Sequence, residues 1–148
     1  LFVAGDRRGF ADGIGQGVVA DLPGVGGRDA ADQFIQRTPE MAAQLSPWGV
    51  TIAHGFLTLS MLTHLSGSIP QDMTRLAGIA MGVNYGFDKI RFINPVKVNS
   101  KIRATSVLKA VELRDPNTIQ TTKTVTVEIE GEEKPACVAD WITRLTYI

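Results

Sequence analysis

The segment Thr51-Ile52-Ala53-His54-Gly55-Phe56-Leu57 carries the residues best suited to chemistry. A glycine that opens a helix leaves backbone N–H groups unpaired at the positive end of the helix dipole, where an oxyanion can be received with no side chain in the way. Gly55 is therefore a candidate oxyanion-hole donor, although close packing at a helix start asks for the same residue. His54 is one of two histidines, so imidazole acid–base chemistry has to use it or His64. Beside a helix terminus His54 either transfers protons or orients its neighbours through a hydrogen bond, and the orienting role is the commoner. His64 falls toward the far end of the same helix, where a positive charge suits the dipole, and is assigned no catalytic part. Cys137 stands between Ala136 and Val138 and reads as a small core residue. No serine or lysine sits in a nucleophile setting. The runs Gly13-Ile14-Gly15-Gln16-Gly17 and Gly24-Val25-Gly26-Gly27 lack the strand before, the helix after and the Lys-Ser/Thr pair of a phosphate loop, so they read as linker.

These residues need a helix and something for it to pack against. Thr38-Pro39-Glu40 offers a hydroxyl at the N-cap, proline at the first helical position and an acid in the first turn. A short helix follows from there, stopped by Ser46-Pro47-Trp48-Gly49. Across residues 55–66, Phe56, Leu57, Leu59, Met61, Leu62 and Leu65 ring the axis, which predicts a helix buried on most sides. Thr58, Ser60, Thr63 and Ser66 are expected to return their hydroxyls to the preceding turn. Beyond residues 67–71 the period changes to two. Ile119, Thr121, Lys123, Val125, Val127 and Ile129 share one face of a strand, and Gln120, Thr122, Thr124, Thr126, Glu128 and Glu130 the other, solvated one. Asp115-Pro116-Asn117 and Glu130-Gly131-Glu132 are turn signals, so strands are predicted over 77–94, 100–114, 118–130 and 134–147. The predicted class is α+β, an antiparallel sheet curled around one central helix.

Composition narrows the function. At 148 residues the chain has the length of one domain, and its 44% hydrophobic and 20% charged residues are those of a globular protein. Lys+Arg and Asp+Glu number 15 each, which leaves no basic excess for nucleic acid or an anionic membrane. A single cysteine forms no intrachain disulfide and, without neighbouring Cys or His, no zinc site, so a reducing, cytoplasmic setting is expected. The apolar stretch at 51–65 is broken by histidines and hydroxyls and falls short of the roughly 20 residues that span a bilayer. The opening residues lack the charged n-region and long h-region of a signal peptide. Eight of the 15 glycines fall in the first 30 residues, which marks residues 1–38 as a separate Gly-rich segment ahead of a domain at 39–148.

From Gln33 onward the chain resembles the MaoC-like (R)-specific enoyl-CoA hydratases, in particular the nodulation protein N-like group. The resemblance is carried by Pro39-Glu40-Met41-Ala42-Ala43, Ser46-Pro47-Trp48-Gly49, the segment from Thr51 through Leu59, Val83-Asn84-Tyr85-Gly86, Lys89-Ile90-Arg91-Phe92, Pro95-Val96 and Lys134-Pro135-Ala136-Cys137-Val138-Ala139. It implies the hotdog fold, and the addition of water to trans-2-enoyl-CoA to give an (R)-3-hydroxyacyl-CoA. The implied assembly is a homodimer or larger oligomer, with coenzyme A entering only as part of the substrate. Asn84 and Tyr85 are implied to line the acyl-CoA pocket with Gly55. The family's catalytic Asp and His, anchored on Gln33-Phe34-Ile35 and Pro39-Glu40, fall on Ala31 and Gln36. Ala31 cannot transfer a proton and Gln36 cannot accept one at neutral pH, so Asp29, Asp32 or His54 are the remaining candidates for acid–base work. Two functions follow: a hydratase, or a non-catalytic acyl-CoA-binding hotdog or pseudo-enzyme subunit. Thioester hydrolysis is disfavoured, because residues 56–66 contain no Asp or Glu.

Overall fold

A computed structural model describes residues 38–67 and 77–148, and local chemistry explains most of its elements. Helix α1, Pro39–Leu45, begins where Ala42 N–H bonds the Thr38 carbonyl at 2.8 Å. The Thr38 hydroxyl makes no capping bond, contrary to expectation. The fixed φ of Pro39 and the acid Glu40 in the first turn supply the start instead. Ser46, in extended conformation, ends the helix. Helix α2 spans Gly55–Gly67.

Four antiparallel strands follow, β1 (Ile79–Phe92), β2 (Ile102–Asp115), β3 (Thr118–Ile129) and β4 (Cys137–Tyr147), in the order β1-β4-β3-β2. All four lie within a few residues of their predicted positions. In the β2–β3 hairpin Asp115 pairs with Thr118, and its Oδ1 accepts the Asn117 N–H at 3.2 Å, closing the turn around Pro116. After β3 the Glu132 N–H bonds the Ile129 carbonyl at 3.2 Å across Gly131, whose φ of 78° favours glycine.

The core lies between α2 and one face of the sheet. Leu59, Leu62 and Leu65 project from the helix onto Ile102, Val125, Val127, Ile129, Cys137, Ala139 and Trp141. A helix packed against one face of an antiparallel sheet is the arrangement expected of the hotdog fold. Truncating Leu62, which is fully buried, to alanine would cost about 2–5 kcal/mol. Burial of α2 is one-sided, however, rather than on most sides. Phe56 is 65% exposed and Ser60, Thr63 and His64 face outward, because this sheet covers only the row of Thr58, Leu59, Leu62 and Leu65. Cys137 is a core residue as expected, and burial pushes its thiol pKa up.

The alternation predicted for β3 holds at Val125, Val127 and Ile129 but not at the strand's start, where Gln120 is buried at 6% exposure and Ile119 is only half-buried. The cause is a polar network across the face opposite the helix. Gln120 Nε2 donates to Glu112 Oε2 at 3.1 Å, and its Oε1 accepts from Arg144 Nε at 3.0 Å. Asp140, 7% exposed, accepts from Lys109 Nζ at 2.7 Å and Thr124 Oγ1 at 2.8 Å. The Lys109 hydrogen bond first, then that of Thr124, holds its carboxyl below the usual carboxylate range.

In β1 a bulge shifts the register between Asp88 and Arg91, with Lys89 in the left-handed region at φ 53°. Phe87 and Phe92 lie five positions apart and would alternate to opposite faces of a regular strand. The extra residue puts both on the helix side, Phe87 stacked on Trp141 and Phe92 opposite Cys137.

Candidate active site

The chain enters α2 through a short β-bridge that fixes where the helix begins. Ile52 bridges Lys97, with Ala53 N–H to the Val96 carbonyl at 2.7 Å and Val98 N–H to the Thr51 carbonyl at 2.9 Å. The Ile93 N–H ties the other end of this segment to the Ala136 carbonyl at 2.9 Å. Held between these two anchors, residues 92–96 form one wall of a cleft of about 250 Å³ beside the start of the helix. Trp48, Ile52, Gly55, Thr58, Phe92 and Val96 are among its lining residues.

At the helix start His54 occupies the N-cap position. Its carbonyl accepts the first helical bond, from Thr58 N–H at 3.1 Å, and its Nδ1 accepts the Phe56 N–H at 3.2 Å. An accepting Nδ1 leaves the proton of a neutral imidazole on Nε2. The ring stacks on Phe56, with centroids 5.7 Å apart, and Phe56 meets Phe92 edge-on at 5.8 Å. His54 thus has the geometry of the orienting residue, capping one helix donor with its own ring. The N–H groups of Gly55 and Leu57 have no acceptor among the described residues, and Gly55 lines the cleft. An unpaired N–H at a helix start, walled by aromatic and aliphatic groups, can stabilise a developing oxyanion.

Close packing favours the glycine. A Cβ at Gly55 would stand 3.0 Å from Phe92 Cδ1 and 3.1 Å from Cε1 and Cγ, tighter than nine in ten real Cβ contacts, so the ring would have to give by a few tenths of an ångström. Neither Trp48 nor Phe92 was singled out from the sequence as a site residue. The five-position spacing of Phe87 and Phe92 is the signal that something must reset the strand between them.

The other site candidates are placed elsewhere. Tyr85 lies in a second irregularity of β1, with the Arg144 guanidinium 3.4 Å from its ring centroid, and Asn84 pairs with Thr143. The strand partners of Asn84 and Phe92, Thr143 and Cys137, lie six residues apart on β4, a separation of roughly 20 Å at 3.3 Å per residue. Within the chain the structure does not bring Asn84 or Tyr85 to the Gly55 cleft. Asp29, Ala31, Asp32 and Gln36 lie outside the described residues. Among the described residues lining the cleft there is no Asp, Glu, Lys, Arg or His, so acid–base groups have to reach it from elsewhere. No group of three or more His, Cys, Asp or Glu among the described residues is placed to hold a metal ion. No described helix is long and apolar enough to cross a membrane.

Comparison with known proteins agrees with this architecture. Nodulation protein N of Rhizobium leguminosarum bv. viciae is 47% identical over 115 residues, covering 78% of this chain and 70% of the relative. The 3-hydroxyacyl-thioester dehydratase Z of Mycobacterium tuberculosis (strain H37Rv) is 47% identical over 112 residues, covering 76% of this chain and 71% of the relative. Among solved structures, the (R)-hydratase from A. caviae involved in PHA biosynthesis matches with a TM-score of 0.57 at 21% identity, over 78% of this chain and 80% of that one. The MaoC-like dehydratase from Rhodospirillum rubrum matches with a TM-score of 0.62 at 14% identity, over 79% and 76%. These two likenesses show the shared fold. The family model described as MaoC like domain matches residues 33–130, and with the two relatives it establishes that this chain belongs to the MaoC-like domain family.

Proposed function

We propose that the protein binds acyl-CoA thioesters at the Gly55 cleft and interconverts trans-2-enoyl-CoA and (R)-3-hydroxyacyl-CoA. The observation that carries this reading is the Gly55 N–H at the start of α2, which has no acceptor among the described residues and belongs to a glycine lining a mainly apolar cleft. Hydration of an enoyl thioester moves negative charge onto the thioester oxygen as water adds, and a fixed N–H aimed at that oxygen lowers the barrier. The name of the 47% identical dehydratase supports the same chemistry. A reducing, cytoplasmic setting fits the single buried thiol of Cys137. A homodimer formed along β1 completes the proposal. Among the described residues that strand borders the sheet, with Met81, Val83 and Tyr85 exposed, and a bordering strand offers unpaired backbone groups to a second copy.

One observation favours a second reading, that of a non-catalytic acyl-CoA-binding or pseudo-enzyme subunit. By the resemblance, Ala31 and Gln36 stand where the family carries its Asp and His. Crotonyl-CoA hydration, followed as loss of enoyl thioester absorbance, separates the readings. Turnover well above the uncatalysed rate supports the hydratase. Binding of butyryl-CoA without turnover supports the binding subunit, and binding of neither removes the cleft as an acyl-CoA site.

A further inference from the structure

Three polar side chains are buried among the described residues, and they are not satisfied alike. Gln120 bonds Glu112 and Arg144, and Asp140 bonds Lys109 and Thr124. The third, Thr58, is 3% exposed and lines the cleft beside Gly55. On the same helix Ser60 Oγ donates to the Leu57 carbonyl at 2.8 Å and Thr63 Oγ1 to the Ser60 carbonyl at 3.0 Å, the return bonds expected of helical hydroxyls. Thr58 makes no such bond, and its hydroxyl has no partner among the described residues. The sealed side-chain polar atom without a partner among the described residues is Trp141 Nε1, so the Thr58 hydroxyl keeps access through the cleft it lines and is available, with no internal bond to give up, to a ligand seated there.

We propose that the Thr58 hydroxyl donates a hydrogen bond to the carbonyl oxygen of the bound acyl thioester, beside the Gly55 N–H. The inference rests on the reading of this cleft as an acyl-CoA site. Thr58 follows Gly55 by three residues and so lies on the same side of the helix, and helical side chains lean toward the N-terminus, which carries the hydroxyl toward the Gly55 amide. A carbonyl oxygen has two lone pairs and accepts both donors. The cleft thereby offers one rigid backbone donor and one side-chain donor to a single oxygen.

The test uses two unreactive ligands that differ in that oxygen: butyryl-CoA, a thioester, and S-butyl-CoA, a thioether without the carbonyl. Calorimetric titration of the unmodified chain should show preference for the thioester. Thr58→Val, close in shape, should weaken butyryl-CoA binding about three- to tenfold, as expected for one neutral hydrogen bond, and leave S-butyl-CoA binding unchanged. Thr58→Ser should keep the preference. The Val variant should melt at or above the unmodified protein's midpoint, since no internal bond is lost. Equal weakening of both ligands, or an undiminished thioester preference in Thr58→Val, overturns the role of Thr58 and leaves the cleft as a thioester site. Failure of the unmodified chain to bind either ligand overturns the thioester reading itself, and this inference with it.

Discussion

Phe92 Cδ1 lies 3.0 Å from the point a Cβ on Gly55 would occupy, so the ring rests on the bare backbone at the helix start. The contact makes the site sensitive to a single methyl group. Gly55→Ala forces the Phe92 ring to move, and because that ring is half exposed, the cleft should deform without the protein unfolding. Gly55→Val keeps the backbone N–H but crowds the Phe92 ring and the space before that donor, so it should abolish crotonyl-CoA turnover or lower it by about 10²-fold or more, the usual loss when an oxyanion donor is put out of reach, and weaken butyryl-CoA binding in parallel. Circular dichroism should confirm the retained fold. Unchanged binding and activity in the folded variant would remove Gly55 from the site.

A second prediction concerns the residues that stand where the family carries its acid–base pair. General acid–base help is typically worth about 10²–10⁴ in rate. With Ala31 and Gln36 in those places, hydration should be slow. Ala31→Asp and Gln36→His together should raise crotonyl-CoA turnover by orders of magnitude, and each alone should do far less, because the two groups act as a unit. Efficient turnover by the unaltered chain would point instead to Asp29, Asp32 or His54.

The ion pair on the far face of the sheet gives a pH dependence with a defined sign. Asp140 is held below its ordinary value of 3.8, first by the Lys109 hydrogen bond and then by that of Thr124. A depressed carboxylate contributes stability that is complete above the unfolded pKa and disappears as pH falls through the folded one. Asp140→Asn should therefore melt earlier than the unmodified protein at neutral pH, with the gap closing as pH drops below 3.8. Lys109 is raised above 10.5, chiefly by the same hydrogen bond, so its contribution is complete below 10.5 and is lost as pH climbs past its folded value. Thermal melts from about pH 2 to 11 test both limbs. A gap that persists undiminished in acid would assign the loss to packing rather than charge.

The proposed pairing along β1 predicts that charge on its exposed row splits the assembly. Val83→Lys should convert the dimer to a monomer in light scattering while leaving the sheet intact. A dimer that survives both this substitution and Met81→Lys would place the interface elsewhere.

The sequence made the secondary structure legible because each element announces itself locally. Alternation in β3, the Asp115-Pro116-Asn117 turn and the apolar run after Gly55 each have a short-range cause. What it hid depends on contacts between strands. Gln120 looked like a member of a solvated face, yet its cross-strand partners Glu112 and Arg144 bury it. Thr58 looked like Ser60 and Thr63, and only the cleft distinguishes it from them. The ringed apolar pattern of α2 suggested burial on most sides, whereas in the chain the sheet takes one side and leaves Phe56 outward.

The bulge at Lys89 makes the site depend on a count rather than on any side chain. Substitutions along 88–91 leave an odd number of steps between the ring stacked on Trp141 and the ring resting on Gly55, and the extra residue absorbs it. Regular pairing at the present length would send the two rings to opposite faces, whereas shortening β1 by the one extra residue would leave them four positions apart and still on a common face. For this segment the pairing is a stricter inheritance than the letters: a lineage can exchange its residues freely, but a strand that kept its length and lost the bulge would move the wall of the site to the other side of the sheet.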